Sequence, residues 1–437
     1  MIKNYFKQAW QLLKENKLYS TIYIFGTALA ICMVMVISVF LFIKRGNITP
    51  EVHRSRSLYV QSIETTPKDT TDHSNSSSLA SYNTLKEVFY PLETAETVTA
   101  HLLTFGEDYS LTRVNEEKGK SVITKFVDAN FWKAFGFNIV EGEPFNEADF
   151  QSGIKKIVID ESTSRKLFNG ASPIGEQVLL NDEVYRICAV VRNTSYMLSD
   201  TFANVWVPYT CRADYELPWD EDGVLGMYKI TIVAPSMGDF AKVRNEVNER
   251  AKQFEEGLSC RLNLMGQPED ALTASFRFGS RSVDLKKILT ILGIMTTILA
   301  LVPVLNLSGL NSSRMEKRSA EIGVRKAFGG TKGHLVVQMI IENLLLTLLG
   351  GVVGLLLSYI VLHFISNLLI SPMAMLGSSN LSGMFSNNLG ITPRMLFNME
   401  IFFIALVAVF IINVLSTLLP SYRYARKNIV EALSEHK

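Results

Sequence analysis

The residues best placed to do chemistry lie in one short run at positions 311–334, NSSRMEKRSAEIGVRKAFGGTKGH. It carries six cations: Arg314, Lys317, Arg318, Arg325, Lys326 and Lys332. A set like this recognises a partner; it does not make or break bonds. The spacing predicts a helix, with Ser312 and Ser313 to cap its start, Glu321 and Arg325 paired one turn apart, and Gly329-Gly330 to end it. Ala320, Val324, Ala327 and Phe328 share one face, so this helix has a side to press into another molecule. The sequence holds no G-x-x-x-x-G-K-[ST] phosphate loop, no H-E-x-x-H and no G-x-S-x-G. The glycines near Gly323, Gly329 and Gly330 have the wrong spacing for a phosphate loop. The six histidines, at 53, 73, 101, 334, 363 and 436, are scattered and do not suggest a metal site. The expectation is a chain that is not itself an enzyme.

The elements that must hold this helix are apolar. Crossing a hydrocarbon core of about 30 Å takes roughly 20 helical residues, and four segments qualify: 20–43, 285–310, 335–365 and 397–420. The first is too long for a signal-peptide core, and no small-residue cleavage site follows it, so it is expected to stay as a span. Orientation follows from basic flanks. Lys3, Lys7, Lys14 and Lys17 precede the first span, and Arg423, Arg426, Lys427 and Lys437 lie in the tail, 421–437, whereas the connection 366–396 holds only Arg394. With the basic loop 311–334, this places both termini inside and residues 44–284 outside. Ile2, Phe6, Ala9, Trp10 and Leu13 make an apolar stripe with lysines opposite, so residues 1–19 are expected to lie as an amphipathic helix on the inner leaflet and contact lipid.

Residues 44–284 are long enough to bury a core of their own. Alternating or β-branched runs at 57–63, 95–103, 155–160, 183–191, 203–208 and 227–234 predict strands. Helices are expected at 79–89, 160–168 and 237–254, the last with Phe240, Val243, Val247 and Ala251 on one face. The polar stretch 65–78, TTPKDTTDHSNSSS, predicts a mobile loop or subdomain boundary. The fold class expected is a membrane protein of four transmembrane helices, with a large α+β extracytoplasmic domain of two lobes between the first and second.

Composition agrees, with 48% hydrophobic and 19% charged residues and a net charge of +1, which gives no reason to expect nucleic-acid binding. Cys188, Cys211 and Cys260 fall outside and can form one internal disulfide at most, while Cys32 falls in the first span; buried free thiols are the simpler reading. Ionisable groups are sparse in the spans, which argues against an ion-coupled carrier. Glu342 is the exception; it either contacts the basic helix or stays at headgroup level. Pro303 and Asn306 would kink or polarise the second span, and Gly350 with Gly354 forms a close-packing face whose partner helix the sequence does not specify.

One span, a large domain and three more spans with a basic helix between the second and third resemble the MacB/FtsX-type permeases of ABC transporters. The run R-x-x-E-I-G-V-R-K-A-F-G at 318–329 is similar to that family's coupling-helix signature, and Gln338, Glu342-Asn343 and Gly350-Gly351-x-x-Gly354 follow it. FWKAFGFNIVEGEPF, VIDESTSRKLFNGASPIGEQV and YRICAVV resemble the family's periplasmic domain, and LPSYRYARKNIVEAL its closing tail. The resemblance implies ATPase coupling through Arg314, Arg318, Glu321, Ile322, Gly323, Arg325, Lys326, Ala327, Phe328 and Gly329, and helix packing at Gly350, Gly351 and Gly354. It also implies an inner-membrane location, a periplasmic domain, and a homodimer or a pair of related permease chains. ATP and Mg would be held by a separate ABC ATPase, because this sequence begins at the membrane where macrolide exporters of the family carry a fused ATPase. Mechanotransmission for efflux, with a periplasmic adaptor and outer-membrane channel, is the expected role. Release of lipoproteins, or control of a cell-wall hydrolase, are the alternatives.

Overall fold

The computed structural model describes residues 17–69, 74–104, 107–114, 116, 119–277, 279–298, 332–377, 399, 402–411 and 413–414. The chain forms two compact units: residues 41–285 with 366–392, and a helical unit of 1–40, 286–365 and 393–437.

Helix α1, Lys17–Arg45, leads from the helical unit into the domain. Among the described residues two helices are long and apolar enough to cross a membrane, Ser20–Arg45 and Ile340–Phe364, and Phe402–Ile411 is a shorter apolar helix. Residues 285–298 are helical, and the remainder of the expected span at 285–310 lies outside the described residues, as do residues 1–16 of the expected interfacial helix. The helix carrying Ile340–Phe364 runs from Lys332 to Gly377. Residues 366–377 are therefore helical, where a connection was expected; the run 366-SNLLISPMAML is apolar enough to prolong the helix.

Among the described residues the domain is built on a mixed sheet of sixteen strands. They are β1 (Ser57–Val60), β2 (Ile63–Pro67), β3 (Ser76–Ala80), β4 (Thr97–Leu102), β5 (Tyr109–Arg113), β6 (Lys120–Val122), β7 (Thr124–Val127) and β8 (Ile139–Gly142). The second eight are β9 (Lys156–Asp160), β10 (Gln177–Leu180), β11 (Glu183–Val191), β12 (Val205–Pro208), β13 (Leu225–Gly226), β14 (Tyr228–Val233), β15 (Cys260–Asn263) and β16 (Glu269–Asp270). The hydrogen-bonded path runs β15-β2-β3-β14-β4-β7-β12-β9-β11-β10-β5-β6. Pairs β9/β11 and β7/β12 are parallel and the others antiparallel. Strand β1 lies between β14 and β16.

Local chemistry sets the boundaries. Asn181 and Asp182 both hold positive φ, 46° and 68°, and make the two-residue turn from β10 to β11. Helix α2, Glu161–Phe168, starts on the Asp160 carboxylate, which accepts from Thr163 N, and stops at Asn169 in the left-handed region. Helix α3, Phe240–Glu256, buries Val243, Val247 and Ala251 at four-residue spacing, as its periodicity predicts.

Two expectations are corrected. The helix expected over 79–89 is a strand up to Ala80, and a short helical segment follows from Tyr82, widening into an i→i+5 turn closed by Tyr90 N to the Leu85 carbonyl, 2.9 Å. Of the polar stretch 65–78, residues 65–67 and 76–78 are the ends of two antiparallel strands, with Thr65 opposite Ser76, and residues 70–73 lie outside the described residues. The threonines of β2 favour a strand by themselves, whereas the serines of β3 are held by pairing with β2, which β15 pairs in turn.

Two main core clusters fill the domain. The larger includes Leu58, Phe89, Ile159 and Ile230. The other is aromatic: Phe131, Phe135, Phe145 and fully buried Trp206, with Phe137 edge-on to Trp206 at 5.4 Å. The FWKAFGF run thus supplies a packed layer, each such ring pair adding about 0.5–1.5 kcal/mol beyond burial. The four cysteines are free thiols. Burial pushes the Cys188 and Cys211 thiols up to about 11, so they stay protonated near neutral pH.

Candidate functional site

The expected coupling residues, Arg314, Arg318, Glu321, Ile322, Gly323, Arg325, Lys326, Ala327, Phe328 and Gly329, lie outside the described residues. The glycines expected at a helix contact are placed. A Cβ on Gly350 would stand 2.8 Å from Thr27 Cβ and 3.1 Å from the Ile24 carbonyl. On Gly354 it would stand 2.8 Å from the Ala28 carbonyl, and on Gly351 2.6 Å from Leu406 Cδ1. Backbones this close leave no room for a side chain. Thr347 and Asn413 are hydrogen-bonded at 3.1 Å, and Glu342 and Asn343 are buried in the same unit.

The most distinctive geometry belongs to residues the sequence reading did not single out. Where the chain enters the domain, Arg54 is buried, donates to the carbonyl of Ile43 and pairs with Glu51. Glu51 is 1% exposed and also accepts from Thr201 Oγ1 at 3.0 Å. Burial pushes its carboxyl up, while the Arg54 charge pulls it back toward ionisation. Where the chain returns, Arg277 is buried and its Nε donates to Glu269 at 2.8 Å. Its remaining nitrogens reach the carbonyls of Arg281, 2.9 Å, and Met265, 3.0 Å.

Each connection is therefore clamped by a buried arginine that joins a carboxylate of the domain to a backbone carbonyl of the connecting segment. The two clamps are themselves joined. Leu58 and Tyr59 of β1 lie opposite Asp270 and Glu269 of β16. The Gln267 side chain accepts from Gln61 N at 2.7 Å and donates to the Ser62 carbonyl. Stretching either connection would strain a charge-assisted hydrogen bond from a buried guanidinium to a backbone carbonyl. Glu51 and Arg54 have i,i+3 spacing, a visible signal, but 269 and 277 share no such pattern.

Fold and site together give two apolar helices long enough to cross a membrane, one packed on the other, and an α+β domain gripped at both ends of its chain. Residues 20–250 match the MacB-like periplasmic core domain, and residues 293–429 match the FtsX-like permease C-terminal domain. The chain belongs to the MacB/FtsX-type ABC transporter permeases, an inner-membrane family with a periplasmic domain. It is 24% identical over 56% of its length to the uncharacterized ABC transporter permease YknZ of Bacillus subtilis. It is 28% identical over 57% to the macrolide export ATP-binding/permease protein MacB 1 of Aeromonas hydrophila. The matched stretches span 58% and 37% of those relatives, under two thirds of either. The crystal structure of the periplasmic region of MacB from Actinobacillus actinomycetemcomitans aligns with 47% of this chain and 89% of its own, at 14% identity and a TM-score of 0.33.

Proposed function

We propose that this chain is the membrane subunit of an exporter in which a partner ABC ATPase, holding ATP and Mg, drives movement of the periplasmic domain. The ATPase docks on Arg314, Arg318, Glu321, Arg325 and the neighbouring residues of 311–334. Four spans place both termini in the cytoplasm, two permease chains form the working unit, and a periplasmic adaptor with an outer-membrane channel receives the movement. Among the described residues, the observation that carries this reading is the pair of buried clamps. Arg54 ties Ile43 to Glu51, and Arg277 ties Arg281 to Glu269, so a shift of the entering segment pulls on the residues just before β1 and a shift of the returning segment pulls on β16.

The test has two arms. Replacing 311–334 by a Gly/Ser segment should abolish co-purification with the ATPase. Inserting several glycines after Ser282 should leave ATPase binding and basal hydrolysis intact, yet remove the ATP-dependent change in distance between spin labels on two domains. Retained ATPase binding in the first arm, or an undiminished distance change in the second, would overturn the proposal.

A further inference from the structure

Between the two clamps the domain contains a cavity of about 140 Å³, with room for a tetrahedral oxyanion. Its lining includes Lys44, Arg54, Lys229, Arg277, Asp200 and Tyr59. The charges around it do not cancel. Arg54 is matched by Glu51 and Arg277 by Glu269. Lys44 lies in the field of Asp200 and Glu51. Lys229 makes no ion pair or hydrogen bond among the described residues. The buried Lys125 Nζ donates to the carbonyls of Ser199 and Asp200, 2.8 Å each, which are neutral acceptors. Lys44, Arg54, Lys125, Lys229 and Arg277 thus face Glu51, Asp200 and Glu269, five positive charges against three negative. The same field reaches His101, whose imidazole burial, Lys125 and Lys229 hold well below its ordinary range.

A second, independent observation lies in the same cavity. Tyr59 is 4% exposed, and its hydroxyl has no hydrogen-bond partner. A buried O–H without an acceptor is costly, and buried polar groups left this way need an occupant to explain them. An oxyanion would accept from Tyr59 and answer the surplus of positive charge at once.

We propose that this cavity binds a phosphate-bearing anion, with Lys229 and the Tyr59 hydroxyl as ligands in the field of Lys44 and Lys125. Two sources share that chemistry: the headgroup of an acidic phospholipid, and free phosphate. Lys44 belongs to the last turn of α1, where a spanning helix reaches headgroup level, so a lipid can reach it. The site shares Arg54 and Arg277 with the clamps, but it does not depend on an ATPase partner.

The test uses the full chain in two preparations. In neutral detergent, inorganic phosphate is titrated while thermal unfolding is followed. In nanodiscs of phosphatidylcholine with phosphatidylglycerol, retained lipid is counted by native mass spectrometry after release. Saturable binding is expected in at least one arm, about tenfold weaker in Lys229→Gln and Tyr59→Phe and recovered in Lys229→Arg. Saturation by inorganic phosphate identifies the free anion. Retained phosphatidylglycerol without a phosphate response identifies the headgroup. Tyr59→Phe removes only an unpartnered hydroxyl, so without anion it should melt no lower than the parent, which separates lost binding from lost folding. No saturable binding of either probe, or binding unchanged in both Lys229→Gln and Tyr59→Phe, would overturn the site.

Discussion

Replacing Arg54 by Met tests whether the chain's entry into the domain is held by a desolvated ion pair. The Arg54 and Glu51 side chains are 6% and 0% exposed. Removing the guanidinium would leave Glu51 buried, with the Thr201 hydroxyl as its remaining hydrogen bond, and strip the Ile43 carbonyl of its donor. Breaking one side of such a pair costs about 3–5 kcal/mol. For a domain of this size each kcal/mol moves the melting temperature by about 2–4 °C, so a drop of roughly 10 °C is expected. Glu51→Gln with Arg54→Met removes both charges, and its cost should fall to about 1–2 kcal/mol, that of the lost bond to Ile43. Thermal unfolding of the parent, both single variants and the double gives the coupling energy by a double-mutant cycle. If Arg54→Met costs under about 1 kcal/mol, or the two changes are additive, Glu51 and Arg54 are solvated and the clamp is not a mechanical link.

Three further outcomes are expected. Glu246 accepts from Glu93 N, Thr94 N, the Thr94 hydroxyl and Arg250; partial burial pushes its carboxyl up, but these donors outweigh it and hold the group at about 2. Its stabilisation is present above the unfolded value of 4.5 and lost as pH falls toward 2; allowing for screening, Glu246→Gln should cost about 1–2 kcal/mol near neutral pH and flatten the acid limb of a pH-dependent melt. Gly354→Val would drive a side chain into the Ala28 carbonyl and should cost at least about 1–3 kcal/mol, seen as a lower melting temperature or aggregation in size-exclusion chromatography. A reporter active only outside the cytoplasm should work when fused after Gly223 and fail after Lys437; the reverse result would overturn the expected orientation.

Much of the domain could be read from its sequence where local pattern and tertiary environment agree. Strand 183–191 matches its expected limits, and helix α3 follows Val243, Val247 and Ala251. Ser76 and Ser77 misled because their strand character comes from pairing with β2, a long-range fact that local propensity does not carry. The close-approach spacing of Gly350 and Gly354 was visible, but nothing in Thr27 or Ala28 marks the surface they meet. The clamps were the least legible feature. Charges near a span ordinarily read as solvated flanks, and only the folded sheet shows that Glu51, Arg54, Glu269 and Arg277 are buried.

The pairing of β1 with β16 puts the first and last strand segments of the domain side by side, and this affects how such a protein can diversify. A domain whose chain enters and leaves through neighbouring strands is a cassette: whatever lies between those strands can lengthen, shorten or be exchanged without moving the flanking helices apart. Turns such as Asn181-Asp182 and 215–223 are far from that seam in sequence, so changes there should alter what the domain meets and leave the grip on its connections intact. The seam itself tolerates little, because a one-residue slip of β1 against β16 would turn Tyr59 to the opposite face.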